Sequence, residues 1–194
     1  HEYFPLKLNG YKIVLLNSKV HHSLANGEYN IRRQRCEEGL TILKNSLQIN
    51  SFRDIESAAD IEPCKRIMTA KVYNCCKYVV EEILRTKKAA ALLQQNDLAG
   101  FGALMFETHE GLSQLYKVSC AELDFLVEQV AAGKNVIGAR MMGGGFGGCT
   151  INIVKEATVN NFIEQVSAAY KKQFNITMEA YVVETADGTD RINE

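Results

Sequence analysis

A glycine-rich segment near residue 145 has the clearest capacity for chemistry in this sequence. The stretch GARMMGGGFGGCTINIV runs from Gly138 to Val154 and includes five closely spaced glycines around Phe146, namely Gly143, Gly144, Gly145, Gly147 and Gly148. A hairpin turn needs one or two residues with positive φ, and each further glycine costs roughly 0.5–1 kcal/mol relative to alanine. We therefore favour a loop whose bare main chain lets a phosphate, or another phosphate-binding loop, approach its N–H groups. A purely structural turn is the alternative.

The segment differs from two common phosphate-binding motifs. It lacks the Gly-Lys-Ser/Thr ending of a P-loop. Strand-like CTINIV follows it, whereas the dinucleotide-binding fingerprint needs a helix at that point.

Composition excludes several classes of partner. The 194 residues carry a net charge of −1 with acidic and basic residues interspersed, so nothing indicates a nucleic-acid or membrane-surface partner. No apolar run approaches the roughly 18 residues of a membrane span, and no signal peptide is visible. The six cysteines form no Cys-x-x-Cys pair of the metal-binding type, so we predict reduced thiols, no metal site and a cytoplasmic location.

The elements that must position the loop follow from hydrophobic spacing. An apolar run predicts a buried strand at residues 11–17, and helical spacing predicts a helix at about 28–47 with Asn26 as its N-cap. Further helices are expected at residues 51–63, at about 65–95, and around Phe101, Met105 and Leu112. The pair Ser119 and Glu122 predicts a capping box for the next helix.

The remainder of the chain completes a recognisable order. Strands are predicted at residues 136–141 and 149–154 on either side of the glycine loop, then a helix at about 158–172 and a last strand in EAYVVET. The order is β-α-β-β-α-β with extra helices inserted after the first strand. It predicts the α+β class, with helices packed on a ferredoxin-like antiparallel sheet.

Four stretches together resemble a known family. GARMMGGGFGGCT resembles the third conserved motif of the GHMP small-molecule kinases, in its galactokinase form. The stretches NSKVHHSLANGEYNIRRQRCEE and AGFGALMFETHEGLSQLYKVSCAELDFLV are similar to galactokinase segments, and the closing ADGT also fits. Met142 departs from the pattern, because the family commonly has threonine before the triple glycine.

The resemblance covers residues 1–194, but only as the C-terminal half of a galactokinase. No segment resembles the family's N-terminal sugar-binding motif, its phosphate loop or its catalytic aspartate. The resemblance therefore implies a GHMP kinase C-terminal domain without its N-terminal sugar- and ATP-binding domain, and with no catalytic residue of its own. We expect the face that meets the missing half to be exposed and apolar, and such a patch can drive artefactual dimers.

The family's activity gives the site residues their expected roles. Galactokinases transfer the γ-phosphoryl group of ATP to the 1-hydroxyl of α-D-galactose with Mg²⁺, and the resemblance places the metal ligands in the other half. It implies that the loop from Gly143 to Gly148 lies near the nucleotide phosphates. It also implies that Tyr29 hydrogen-bonds the sugar, with His21 as a weaker contact because histidine is charged only when protonated.

Other polar residues have structural interpretations. We expect Arg32 and Arg33 to pair with acidic groups or with the other domain, and we leave Arg140, before the loop, open between support and function. His109 is in helical register with Met105 and Leu112, so we interpret it as a satisfied, partly buried histidine.

Two other functions remain open. The parent protein could be another GHMP kinase, acting on N-acetylgalactosamine, mevalonate or homoserine. It could also be a galactose sensor that keeps the fold and regulates through a partner. If the parent is a galactokinase, we expect no detectable galactose phosphorylation by the 194-residue piece alone.

Overall fold

The computed structural model describes residues 6–21, 25–131 and 133–186, and the last three residues of the ADGT match lie outside this part. Its strands and α-helices are β1 (Tyr11–Asn17), α1 (Ala25–Ser46), α2 (Ala70–Gln94), α3 (Leu98–Glu110), α4 (Ala121–Ala131), β2 (Val136–Met141), β3 (Cys149–Lys155), α5 (Val159–Phe174) and β4 (Glu179–Val183). Short 3₁₀-helices occupy Phe52–Asp54, Ala58–Ile67 and Glu156–Thr158, and a π-helical turn occupies Gly111–Leu115.

The four strands form one antiparallel sheet in the order β2-β3-β1-β4. Because β1 and β3 are central, each β-α-β connection skips over one strand. The block from α1 to α4 connects β1 to β2, and α5 connects β3 to β4. The predicted β-α-β-β-α-β order, the antiparallel sheet and the α+β class are therefore confirmed.

Helices α4 and α5 cover one face of the sheet. Val14 and Leu16 of β1 are fully buried there, and each such side chain contributes about 1.5–3 kcal/mol. The core is completed by Leu126, Val127 and Val130 of α4 and by Phe162, Val166 and Tyr170 of α5. The Tyr170 hydroxyl donates a 2.8 Å hydrogen bond to the carbonyl of Ser18, which fixes the chain just after β1.

Helix α3 packs against β2 through glycines that face each other. A Cβ on Gly102 would lie 2.2 Å from the carbonyl oxygen of Ile137, and one on Gly138 would lie 2.6 Å from the Cα of Gly102. Neither position therefore accepts a side chain without a shift of the backbone. The contact brings the end of α3 beside Met141, the last residue of β2.

Two further clusters extend the core. Helices α1 and α2 and the first two 3₁₀-helices enclose Leu43, Ile55, Ile61, Cys64, Val72, Tyr73, Cys76 and Val80. A smaller cluster of Val118, Leu123 and Met141 packs against Phe146 of the glycine loop. Within the described ranges, none of the helices combines the length and apolar composition that a membrane span requires.

Two predicted helix caps are wrong. Helix α1 begins at Ala25, so Asn26 lies inside the helix. Helix α4 begins at Ala121, and the carbonyl of Cys120 accepts the hydrogen bond from the Asp124 N–H. Ser119 is therefore one residue too early to cap, and its hydroxyl has no hydrogen-bond partner among the described residues.

Predicted helix limits also change where 3₁₀ and π turns intervene. Residues 51–63 contain one short 3₁₀-helix and the start of a second, rather than one helix ended by Pro63, and Pro63 lies inside the second. That helix includes residues 65–67, so α2 starts only at Ala70, after the Thr69 cap. Leu112 lies in the π turn beyond the end of α3. The strands at 11–17 and 136–141 are confirmed as predicted.

Candidate functional site

The second half of the glycine loop is bonded to two neighbouring segments. The Phe146 N–H donates to the carbonyl of Val118 at 2.7 Å, and the Gly148 N–H donates to the carbonyl of Val20 at 3.1 Å. The Gly148 carbonyl accepts from the buried Ser18, through its N–H at 2.9 Å and its hydroxyl at 2.8 Å. The loop is thus fixed between the end of β1 and the segment before α4.

Gly145 and Gly147 are required by the packing of this protein itself. Both have positive φ, +87° and +139°. A Cβ on Gly145 would lie 2.1 Å from the Val118 carbonyl oxygen, and one on Gly147 would lie 2.3 Å from the Val20 carbonyl oxygen. The same two carbonyls accept the loop's hydrogen bonds. These bonds therefore bring the main chain of the loop too close to its neighbours for a side chain at Gly145 or Gly147.

The other three glycines meet open space. Among the described residues, no atom lies within 4 Å of a Cβ built on Gly143, Gly144 or Gly148. Gly143 and Gly148 still have positive φ, +80° and +81°, which favours glycine. Gly144 has neither a positive φ nor a close neighbour within the described part of the chain. Of the five loop glycines, therefore, Gly144 alone is explained neither by φ nor by packing against the described residues.

Arg32 connects helix α1 to this loop. Arg32 is only 6% exposed. Its Nε donates to the carbonyl of Tyr116 at 2.7 Å and its Nη2 to the carbonyl of Lys117 at 2.6 Å. Its Nη1 donates to Glu28 at 2.6 Å, and the guanidinium lies 5.8 Å from the centre of the Phe146 ring. Arg32 therefore fixes the start of α1 against both the loop and the turn after the π segment.

Tyr29 and His21 lie on exposed positions of the same region. Tyr29 is 66% exposed on the first turns of α1, three residues before Arg32, and residues at this spacing are neighbours on a helix surface. His21 is exposed and directly follows Val20, the residue that accepts the Gly148 N–H. Tyr29 therefore adjoins Arg32 on α1, and His21 adjoins the Ser18–Val20 segment that is bonded to the loop.

Arg33 and Arg140 have partners elsewhere. Exposed Arg33 donates to Glu37 of the same helix at 2.8 Å. Arg140 lines a cavity of about 240 Å³ formed by α2, α3 and β2, together with Glu82, Arg85 and Thr108. Its Nη1 also donates to the Met141 carbonyl at 3.1 Å. Arg140 therefore borders the base of the loop, with its side chain in the α2–α3 cavity.

His109 has partners that sequence reasoning missed. Its Nδ1 accepts a 3.2 Å hydrogen bond from the Met141 N–H. Its Nε2 lies 3.1 Å from Oδ1 of Asp124, whose Oδ2 accepts a 2.9 Å bond from the Ser113 hydroxyl. Because the serine donates to the aspartate and not to the histidine, this is not a nucleophilic triad. These four residues lie on four separate elements, so their spacing in the sequence gives no signal.

Burial controls the ionisation of several groups. Desolvation lowers the pKa of His109 below its usual value, although Asp124 opposes the shift. Desolvation raises the pKa of Cys36 to about 11 and that of Cys76 to about 12, so both are thiols at neutral pH. All six cysteines are free, as predicted, and Cys64, Cys75 and Cys76 are buried. Within the described residues, no group of His, Cys, Asp or Glu could hold a metal ion.

Comparisons of the sequence relate this chain to known kinases. The sequence model for "GHMP kinases C terminal" matches residues 89–172. Galactokinase of Clostridium acetobutylicum is 41% identical over 194 residues, which are 100% of this chain and 50% of that protein. Galactokinase of Thermotoga maritima is 38% identical over 192 residues, covering 99% of this chain and 52% of that protein. The chain therefore spans about half the length of these relatives.

Two solved kinase structures also resemble this chain. Lactococcus lactis galactokinase, complexed with galactose, superimposes with a TM-score of 0.91 at 29% identity, covering 97% of this chain and 48% of that one. Mevalonate kinase of L. major shares the fold at a TM-score of 0.54 and 19% identity, covering 92% of this chain and 44% of that one. Residues 89–172 thus match the C-terminal domain of the GHMP kinases, and the fold of the chain matches the corresponding half of a galactokinase.

Proposed function

We propose that this chain is the C-terminal half of a galactokinase, which phosphorylates α-D-galactose at its 1-hydroxyl with MgATP. One observation carries the proposal: galactokinases match the chain from end to end at 38–41% identity. The fit to a galactokinase solved with galactose, at a TM-score of 0.91, supports the same substrate. The proposal includes a cytoplasmic location and residues 1–194 as one domain whose partner domain lies outside this chain.

The glycine loop is proposed to lie against the nucleotide phosphates and the partner domain's phosphate loop. Its first half supports this role, because space beside Gly143 and Gly144 is open within the described residues while its second half is fixed. Phosphoryl transfer depends mainly on positioning and charge stabilisation. A loop fixed at one end and bare at the other supplies a rigid surface of main-chain atoms for such positioning.

Tyr29 is proposed to hydrogen-bond a galactose hydroxyl. Its 66% exposure leaves the phenol available, and the Arg32 contacts hold the helix turn that presents it. His21 is proposed as a weaker contact nearby. Arg32, Arg33 and Arg140 support the site without touching substrate in this proposal.

ATP and Mg²⁺ are proposed to be held largely by the partner domain. The described residues offer main-chain N–H groups for phosphate oxygens but no grouped carboxylates for Mg²⁺. When bound, the metal would neutralise phosphate charge, while this chain's loop would orient the phosphates. The isolated 194-residue chain is therefore expected to phosphorylate no sugar.

The experiment that tests the proposal uses the full-length parent protein. ADP release is measured with galactose, N-acetylgalactosamine, mevalonate and homoserine, with wild type beside Tyr29→Phe. Galactose-specific turnover that weakens in the variant supports both the activity and the role of Tyr29. Turnover only with another substrate refutes the sugar assignment. Galactose binding without turnover favours a sensor.

The expected dimer remains a prediction about the isolated chain. Met142, Tyr181 and Val182 are large apolar side chains that are at least 38% exposed. Sedimentation of the 194-residue chain at rising concentration should show self-association. A strictly monomeric chain would contradict it.

A further inference from the structure

We propose that His109 is a positioning residue of the glycine loop, acting through its hydrogen bond to the Met141 N–H. The inference deepens the proposed kinase function and rests on it for its catalytic consequence. His109 would touch neither sugar nor nucleotide. It would set where β2 ends and therefore where the open half of the loop begins.

The position of Met141 in the sheet makes this hydrogen bond important. Strand β2 lies at one edge of the sheet, with β3 on one side only. The Met141 N–H points to His109 rather than to β3, and the Met141 side chain is 1% exposed. A buried N–H without an acceptor costs about 1–3 kcal/mol. His109 Nδ1 therefore supplies the acceptor that a neighbouring strand would otherwise provide.

The opposite side of the histidine ring faces the carboxylate of Asp124. Because Nδ1 accepts a hydrogen bond, neutral His109 carries its hydrogen on Nε2, which faces Asp124 Oδ1 at 3.1 Å. Ser113 donates to the other oxygen of that carboxylate. The glycine contact between α3 and β2 sets the distance between ring and strand. The loop base is thus linked to α3, and the ring that bonds it lies against Asp124 of α4.

Protonation of His109 would break this arrangement. With a proton on each nitrogen, Nδ1 becomes a donor that faces the Met141 N–H. Charged residues on three helices line a cavity of about 680 Å³ beside the ring: Glu107 and Glu110 on its own helix, Asp124 and Glu128 on α4, and Lys77, Glu81 and Arg85 on α2. Burial outweighs the carboxylates and keeps the pKa low, so the ring accepts at neutral pH.

The test compares three substitutions in the full-length protein. His109→Asn places an amide oxygen close to the position of Nδ1, His109→Gln places one nearer Nε2, and His109→Leu removes the acceptor at similar volume. Amide hydrogen exchange of residues 141–148 is measured for each, together with KM for ATP and for galactose. Comparing these variants separates the effect of losing the hydrogen-bond acceptor from the effect of losing the volume of the ring.

The expected pattern is specific to positioning. His109→Leu and His109→Gln should speed exchange at residues 141–148 by about tenfold, the equivalent of one lost hydrogen bond, while His109→Asn stays near wild type. KM for ATP should rise in the same two variants more than KM for galactose. The proposal would be overturned if His109→Asn and His109→Leu exchanged at equal rates, or if neither variant differed from wild type.

Hydrogen exchange tests the role of His109, and substrate turnover tests the proposed function, so the two can fail separately. If no substrate is phosphorylated, the exchange pattern still decides whether His109 positions the loop. If His109→Leu does not fold, the comparison of Asn with Gln decides, supported by exchange in wild type at falling pH. Wild-type exchange at residues 141–148, corrected for intrinsic rates, should rise as His109 becomes protonated. A flat pH profile would contradict the proposal.

Discussion

The two halves of the glycine loop are both rich in glycine but have opposite environments. Residues 145–148 are bonded to the Val118 and Val20 carbonyls and to Ser18, and two of their three glycines have no room for a side chain. Gly143 and Gly144 face space that is open within the described residues. A run of glycines can therefore combine a structural clamp with an approach surface, and only three-dimensional contacts separate the two.

The largest effect on stability is expected in residues 145–148, the half of the loop that is bonded to neighbouring segments. Gly145→Ala should lower the free energy of unfolding of this chain by about 2–4 kcal/mol, because it adds a Cβ at positive φ against main-chain atoms. Chemical denaturation of wild type and variant checks this value. Gly143→Ala, at positive φ but in open space, should cost less, about 1–2 kcal/mol. Equal losses would show that backbone conformation alone matters.

Arg32 should have the next largest effect. Arg32→Met keeps much of the aliphatic bulk but leaves the Tyr116 and Lys117 carbonyls without their donor, which should cost about 2–3 kcal/mol of unfolding free energy. Arg33→Met is the matched control one residue away, where an exposed pair with Glu37 is lost and little change is expected. Similar losses in both variants would contradict the account of Arg32 as the anchor of the loop.

The pH dependence of stability tests the base of the loop. Burial lowers the pKa of His109 from its usual 6.5, so the unfolded chain binds a proton first as the pH falls. The stability contributed by neutral His109 is fully present above pH 6.5 and is lost as the pH falls through the lower pKa of the folded state. His109→Asn lacks this titration, so its stability should fall less between neutral and acidic pH. Parallel profiles would refute the assignment.

The smallest effect on stability is expected at Gly144. Its φ is not positive and its Cβ position is open within the described residues, so Gly144→Ala should change the unfolding free energy by less than about 0.5 kcal/mol. Denaturation beside Gly145→Ala gives the direct comparison. A loss of several kcal/mol at Gly144 would remove the distinction between the two halves.

Local patterns predicted most of the fold, because the strand and helix periodicities agree with the final sheet. The predictions failed where local signals compete. Ser119 and Glu122 have the spacing of a capping box, yet the helix starts at Ala121. Pro63 suggests a helix end, but the 3₁₀ geometry around Ala58–Ile67 accommodates it.

The sequence predicted a glycine loop with close main-chain approaches, but it did not predict which residues the loop contacts. The number of glycines indicated a special loop, but the close contacts of Gly145 and Gly147 depend on Val118 and Val20, which are remote in sequence. The partners of His109 were hidden for the same reason, since Met141 lies 32 residues away on another element. Such contacts are created by packing and leave no local pattern.

The most direct test of the central claim is ADP release by the full-length protein with galactose, comparing wild type with Gly144→Ala. The account predicts galactose-dependent turnover in wild type and a kcat/KM for ATP lowered by about tenfold or more in the variant, with unchanged stability. Absence of galactose-dependent turnover, or equal kcat/KM in the two proteins, would contradict it.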